Sequence, residues 1–360
     1  MKAAFVPWDE SINHNNIYKP KYQGYEDSHV LLKQVFMQNG DDINTIDMYE
    51  NLEEVDLFLF SIVDYQWLDK VIKTGLIERC VYCSGEPPVV RPSNCMEGYR
   101  KLMKIFPYIL TFDDDLVDNR RIFKRNLPYY FDEKTGSVPF DERKLLVNIS
   151  GNKKSEHPKE LYSERERVVS FFEKNYPEHI TLYGPGWSKD KHPSYNGYID
   201  DKADAYYTHK FALAFENMYD VRGYITEKIF DCFEMGIVPI YWGASDIREY
   251  IPENSFIDYT KFKDLDKLAD YLFSMTEKEY NGYLKAIHSL LQSDIDIPFS
   301  SDTFYDQIKR VYESEPVKGF FLSERAHQYI AQKAKREMMH RKREHMIWNL
   351  KKKIKKLFRK

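Results

Sequence analysis

The chain has 360 residues, more than twice a usual domain of roughly 150, so two domains are expected. With 42% hydrophobic and 16% aromatic residues, the composition is that of a globular chain with ample material for a core. The net charge of −4 conceals an acidic body and a basic tail: residues 331–360 carry 13 Lys/Arg against 2 Glu, which confines any polyanion contact to that tail.

The first residues, MKAAFVPWDESINHNN, turn polar within ten positions. They lack the continuous apolar run of a signal peptide or membrane anchor, and a cytoplasmic enzyme of bacterial type is expected. Residues 3–7 read as a short strand, VDLFLFSIV (Val55 to Val63) as a buried strand, and the segment around Tyr65 to Thr74 as a helix. Cys80 to Cys83 ends a further strand, and the alternation implies an α/β domain. Four cysteines in a chain this size make no disulfide scaffold. Cys80-x-x-Cys83 has zinc or redox spacing, but no second CxxC or His pair completes a site, so reduced core thiols are expected.

Next comes SGEPPVVRPSN (Ser84 to Asn94), where Gly85 and the pair Pro87-Pro88 force a loop. Glu86 is thereby displayed at a strand's carboxyl end, a suitable place for a general base, although a solvated loop glutamate reads the same way. In YILTFDDDLVDNRRIFKRNLPYY, Asp113, Asp114 and Asp115 resemble a DxD site for Mg²⁺ or Mn²⁺. Loop aspartates capping the next turn explain them better. FDEKTGSVPFDER (Phe131 to Arg143) is a turn-rich linker, and LLVNIS (Leu145 to Ser150) opens the second domain as a strand. A helix begins near Glu160 with Val168, Phe171 and Phe172 as its apolar stripe, and HITLYG (His179 to Gly184) is another strand.

The central stretch is FALAFENMYDVRGYITEKIFDCFEMGIVPIYWGA, from Phe211 to Ala244. It reads as strand (Phe211 to Phe215), polar loop (Glu216 to Gly223), helix capped by Thr226, stop at Gly236, and a second buried strand. This is a βαβ unit of a parallel sheet. Asn217, Arg222, Tyr224, Thr226, Glu227 and Lys228 cluster at the helix mouth, where unpaired N–H groups and the helix dipole favour an anion such as phosphate. Ligands of parallel sheets bind outside the carboxyl ends of the strands, where this loop should lie. A capped helix with solvated charges is the alternative.

AFEN, GYITEK and GIVPIYWG, in this order, resemble the donor-binding signature of family 10 glycosyltransferases, the α1,3/4-fucosyltransferases. The likeness runs from Val81 to Leu272 and is strongest from Phe211 to Asp258, taking in TLYGPGW and the Ile-Pro-x-x-Ser-Phe-Ile run after the unit. It implies a GT-B architecture of two facing Rossmann-like α/β domains: 1–140 for the acceptor, 141–315 for the GDP-sugar, and 316–360 as a basic amphipathic helical tail. On the family pattern Glu86 corresponds to the catalytic base. Asn217, Arg222, Tyr224, Thr226, Glu227 and Lys228 bind the donor, Glu227 through ribose hydroxyls. The family also places a phosphate-contacting arginine on the helix after Glu160; Arg167 matches best because two apolar residues follow it, with Arg165 in reserve. No metal cofactor is implied.

The resemblance therefore implies an inverting, metal-independent transfer of fucose from GDP-fucose. The acceptor would be O3 or O4 of N-acetylglucosamine in a surface glycan such as lipopolysaccharide O-antigen. A relative using another nucleotide sugar, or a non-catalytic nucleotide-sugar-binding protein, are the rivals. In the tail, Ile347, Leu350, Ile354 and Leu357 recur at helical steps among lysines and arginines. Such a helix suits an anionic membrane surface on the inner face of the cytoplasmic membrane, each cation adding about 1 kcal/mol. A partner helix, an RNA-binding tail or a solvated extension are the alternatives; no nucleic-acid partner is expected.

Overall fold

Two parallel sheets organise the computed structural model, which describes residues 1–20, 27–131, 138–262 and 264–357, without the side chains of 344, 345 and 347–357. In chain order the first half runs β1 (Lys2–Val6), α1 (Ser28–Gln38), β2 (Asp42–Thr45), β3 (Leu57–Phe60) and α2 (Tyr65–Lys73). It continues through β4 (Cys80–Cys83), α3 (Met96–Leu102), β5 (Tyr108–Thr111) and β6 (Ile122–Lys124). Among the described residues the sheet order is β2-β1-β3-β4-β5-β6, all neighbours parallel. The runs LFLF, CVYC and YILT are buried at every position, as strands covered on both faces require. Asp64 caps α2 by accepting from the N–H groups of Gln66 and Trp67, so the break between strand and helix is written locally.

The second sheet contains β7 (Lys144–Ile149), β8 (Ile180–Tyr183), β9 (His209–Phe215), β10 (Val238–Trp242) and β11 (Ile257–Asp258), in the order β11-β10-β9-β7-β8. Its connections include α4 (Tyr162–Asn175), α5 (Ala203–Tyr207), α6 (Glu227–Glu234) and α7 (Ile247–Tyr250). After β11 come α8 (Leu265–Ser274), α9 (Glu277–Leu291), α10 (Asp296–Phe299), α11 (Ser301–Tyr312) and α12 (Glu324–Leu357). The expected βαβ unit is β9–α6–β10: Phe211 pairs with Val238 and Phe215 with Trp242 in parallel register. Leu213 and Phe215 join one core layer, while Ala212 and Ala214 meet Ile229, Phe230 and Phe233 of α6 in the other.

The chain then returns to the first domain, which departs from the expected boundary at 315. Phe304, Tyr305, Ile308 and Val311 of α11 pack among Phe36, Leu57 and Leu110 in the first sheet's core. Their 3.6-residue spacing supplies an apolar stripe that the first sheet, not the second, leaves uncovered. The start of α12 also docks there: Ile330 is fully buried with Leu68 and Val71 of α2, and the Tyr329 ring meets Tyr65 at 6.1 Å. Residues 132–137 of the linker and Phe358, with the side chains of Ile347, Leu350, Ile354 and Leu357, lie outside what is described. Among the described residues no helix is long and apolar enough to cross a membrane.

Candidate active site

The mouth of α6 is built around a buried carboxylate. Glu216 follows the last residue of β9 and is fully buried. It accepts hydrogen bonds from the Thr226 N–H (2.9 Å) and hydroxyl (2.8 Å), and Lys228 Nζ lies 3.2 Å away. Gly243, after β10, makes room for it, since a β-carbon there would collide with Glu216 Cγ and the Tyr241 hydroxyl. Thr226 is the N-cap of α6 and accepts from the Lys228 N–H, as its place in the sequence predicts. Lys228 also lies 3.3 Å from Glu227. Burial pushes the Glu216 carboxyl up, against the pull of Lys228. Burial acts likewise on Glu227, but Lys228 and Lys202 outweigh it and hold that carboxyl low. Lys228 loses hydration, yet Glu216 and Glu227 more than compensate and keep it firmly protonated.

Thr226, Glu227 and Lys228 line a polar cleft of about 300 Å³ between the domains, with Glu216 behind them. Further cations converge on it from three directions. Arg165 of α4 is buried and donates to the carbonyls of Phe215 (2.7 Å) and Glu216 (3.2 Å). Lys202, just before α5, pairs with Asp231 of α6, and Lys153 reaches in from the loop after β7. Tyr224 is buried, with its hydroxyl accepting from Asn217 Nδ2 at 3.2 Å. A surplus of fixed cations beside a helix N-terminus is the electrostatic complement of a diphosphate.

The opposite wall is the loop after β4. The Tyr82 hydroxyl donates to Asn94 Oδ1 (2.8 Å), and Asn94 Nδ2 donates to the Glu86 carbonyl (2.6 Å), fixing the backbone that carries Glu86. The Glu86 side chain is open to the cleft, yet the surrounding walls withdraw enough water to raise its carboxyl above the ordinary range, against Lys228 and Lys153. A second cavity of about 490 Å³ extends into the first domain and shares Gly85, Glu86, Leu127 and Glu227 with the first. Glu86 thus stands where the two spaces join. The domains touch beside this junction, where the Phe112 ring meets Tyr224 at 4.8 Å.

Six of the residues singled out from sequence come together here: Glu86, Asn217, Tyr224, Thr226, Glu227 and Lys228. Two do not. Arg167 pairs with Glu164 and donates to the Tyr259 hydroxyl (3.1 Å), away from the cleft. The reserve residue Arg165 lines the cleft, because it shares the buried face of α4 with Val168, Val169 and Phe172. Arg222 is also displaced, its exposed guanidinium lying 3.4 Å from Glu249, 3.6 Å from Asp115 and 3.7 Å from Asp246. Gly223 explains the turn: with φ +74° its N–H points to both oxygens of Asp246 (3.0 Å each), and the preceding side chain is thrown outward.

The aspartate run serves as local capping. Asp113 accepts from the Asp115 N–H (3.1 Å), and burial, with its acidic neighbours, raises its carboxyl to about 6. Asp114 pairs with Lys124 at 2.7 Å. No cluster of three metal-ligating side chains occurs among the described residues. Cys80 and Cys83 are buried free thiols pushed up by burial, Cys83 to about 11. Lys202, Lys153 and Tyr162 complete the cleft, and the buried Glu216 backs it, without having been singled out. Glu216 reads in sequence as the first residue of a polar loop, and nothing in the sequence around Lys202 marks it.

Two parallel-sheet domains, with carboxyl strand ends facing a cation-rich cleft, define a GT-B glycosyltransferase fold. Residues 143–291 match the model of the C-terminal part of glycosyltransferase family 10 (fucosyltransferase). An α-(1,4)-fucosyltransferase of Arabidopsis thaliana is 45% identical over 64 residues, 18% of this chain and 16% of that protein. The α-(1,3)-fucosyltransferase FucT of Helicobacter pylori is 35% identical over 91 residues, 25% of this chain and 18% of that one. The aligned segments thus span less than a fifth of either relative. In fold, the chain is similar to a crystal structure of an α1,3-fucosyltransferase with GDP, with a TM-score of 0.53 and 19% identity over 88% of this chain and 91% of that one.

Proposed function

We propose that this protein transfers fucose from GDP-fucose to a hydroxyl of an N-acetylglucosamine-containing glycan. The observation that carries the reading is the meeting of Lys228 and the α6 N-terminus with Glu86 across one cleft, joined to a second cavity. The match of residues 143–291, which hold the α6 mouth, to a fucosyltransferase family supports it.

The chemistry follows from the charges. Departure of the nucleotide builds negative charge on the β-phosphate, and Lys228, Arg165, Lys202 and the α6 N–H groups are fixed where that charge would be offset. Three fixed cations can do what a divalent metal does elsewhere, so the transfer is written as metal-independent. Glu86 takes the proton of the acceptor hydroxyl as it attacks the anomeric carbon on the face opposite GDP, which inverts the configuration. The raised Glu86 carboxyl makes it a stronger base than an ordinary glutamate. Asn217, Tyr224 and Glu227 orient the donor, with Glu227 on the ribose hydroxyls.

At its finer level the proposal assigns the acceptor oxygen to O3 or O4 of N-acetylglucosamine in a surface glycan such as lipopolysaccharide. It also places the enzyme on the inner face of the cytoplasmic membrane. The tail supports that placement, since 13 Lys/Arg against 2 Glu lie in 331–360 and the helix runs on past its dock. Sedimentation with phosphatidylglycerol vesicles, lost on removing residues 342–360, is expected; equal pelleting of both forms would refute the placement.

The test of donor identity is a melting panel with GDP, UDP, CDP, ADP, GDP-fucose and GDP-mannose in EDTA. A ligand at a hundredfold its Kd stabilises by about 2.7 kcal/mol. Stabilisation by guanine ligands, followed by fucosyl transfer to N-acetyllactosamine or a related glycan, is expected. A preference for UDP, or no response to any nucleotide, overturns the reading.

A further inference from the structure

The second cavity holds a cation that the transfer chemistry leaves unused. Arg125 follows β6 and lines this cavity together with Trp8, His29, Arg91 and Phe304. Its guanidinium is partly buried, lies 4.6 Å from the centre of the Phe304 ring, and has no carboxylate within 4.0 Å among the described residues. Its Nε is buried with no hydrogen-bond partner. A stacked ring gives the cation a face but satisfies none of its N–H donors. A partly desolvated guanidinium without a protein counter-ion is costly to keep, and an anion bound in this cavity would offset that cost.

The surroundings narrow what that anion is. Arg125 Nη1 lies 3.7 Å from where a β-carbon on Gly85 would stand, so the charge sits one residue from Glu86. Arg91 adds a second cation to the same space. His29 contributes none at neutral pH: burial, and Arg125 beside it, hold its imidazole down to about 4, against the pull of Asp27. The acidic groups at the cavity mouth, Glu86 and Glu227, face Lys228 on the donor side. Trp8 is 49% exposed, with its ring 5.9 Å from Phe5 and 5.9 Å from His29, and offers the flat apolar face on which sugar rings stack.

We propose that the acceptor is an acidic sugar, whose carboxylate or phosphate is bound by Arg125 while a neighbouring ring packs on Trp8. A planar guanidinium matches either oxyanion through paired N–H donors, which a neutral hydroxyl cannot replace. This deepens the reading of the chain as a glycosyltransferase and rests on Glu86 marking the acceptor hydroxyl.

The test is a binding titration by saturation-transfer NMR, run with and without GDP. The probes are glucuronyl-N-acetylglucosamine, N-acetylglucosamine 6-phosphate and neutral N-acetyllactosamine, against wild type, Arg125→Gln and Arg125→Lys. At least one acidic probe should bind wild type about tenfold or more tightly than the neutral one, the effect of one charge-assisted contact. Which acidic probe wins distinguishes carboxylate from phosphate. Arg125→Gln should erase the difference and Arg125→Lys should keep part of it. Equal binding of all three, binding of none, or an acidic preference that survives Arg125→Gln overturns the proposal. The wild-type comparison needs no variant, so the proposal can still fail on it should Arg125→Gln misfold. GDP-induced stabilisation, read on the same samples, separates failure of the donor reading from failure of this one.

Discussion

Lys228 holds its ammonium 3.2 Å from the buried carboxylate of Glu216, so the cation at the α6 mouth is clamped from behind and open to the cleft in front. The pair makes Lys228 both structural and functional, and the two roles can be separated. Lys228→Ala should lower turnover by about 10²–10³-fold, the usual loss when one stabiliser of developing charge is removed. It should also destabilise the fold by at most about 3–5 kcal/mol, because Glu216 is left buried without its counter-ion. Glu216→Gln combined with Lys228→Met removes both charges and should recover most of the melting temperature but none of the activity. Near-wild-type turnover in Lys228→Ala would end its assignment to the leaving group.

Glu86 links catalysis to pH and stability in opposite directions. As the base it must be ionised, so kcat/KM should fall as pH drops through its raised pKa, above the usual carboxylate range. In the folded protein Glu86 holds its proton more tightly than in the unfolded chain. Stability is therefore lost as pH rises from the ordinary carboxylate range through the raised value. Glu86→Gln should abolish transfer and melt higher than wild type at pH 7, with the difference shrinking toward pH 4. A melting temperature at pH 7 equal to or below wild type would mean the carboxylate is not strained by its site.

Activity should persist after dialysis against EDTA. Lys228, Arg165 and Lys202 already supply positive charge, while Asp113 is occupied as a cap and Asp114 by Lys124. Complete loss on chelation, restored by Mn²⁺, would return Asp113 to Asp115 to the mechanism.

Local signals in the sequence were legible where they answer to local physics. Thr226 before an apolar-periodic run and Gly236 after it bound α6, and LFLF and CVYC are core strands because both faces are covered. What could not be read depends on distant partners. β2 (DINT) alternates as an edge strand, so its apolar signal is half that of its neighbours. Glu216 looks like a loop residue until Thr226 and Lys228 fold around it. The stripe of α11 is visible as amphipathic, but which sheet it covers is a tertiary fact. Arg222 sits in the right sequence block, and only the positive φ of Gly223 and the acidic groups around it turn it outward.

Arg165 and Arg167 give the last test, because they are two residues apart and face opposite ways. In α4 the residues 165, 168, 169 and 172 recur at three- and four-residue steps, which places Arg165 on the sheet-facing side and Arg167 about 200° around the helix. Arg165 is 3% exposed and anchored to the carbonyl ends of β9, so its guanidinium enters the cleft already oriented. Arg167 spends its charge on Glu164 in a half-exposed pair, worth under about 1 kcal/mol. Arg165→Lys, which keeps the charge but loses the fixed fork, should weaken GDP binding and turnover by about tenfold. Arg167→Ala should leave both within about twofold. Titration of GDP by calorimetry on the two variants decides between them, and the reverse ranking would hand the phosphate contact back to Arg167.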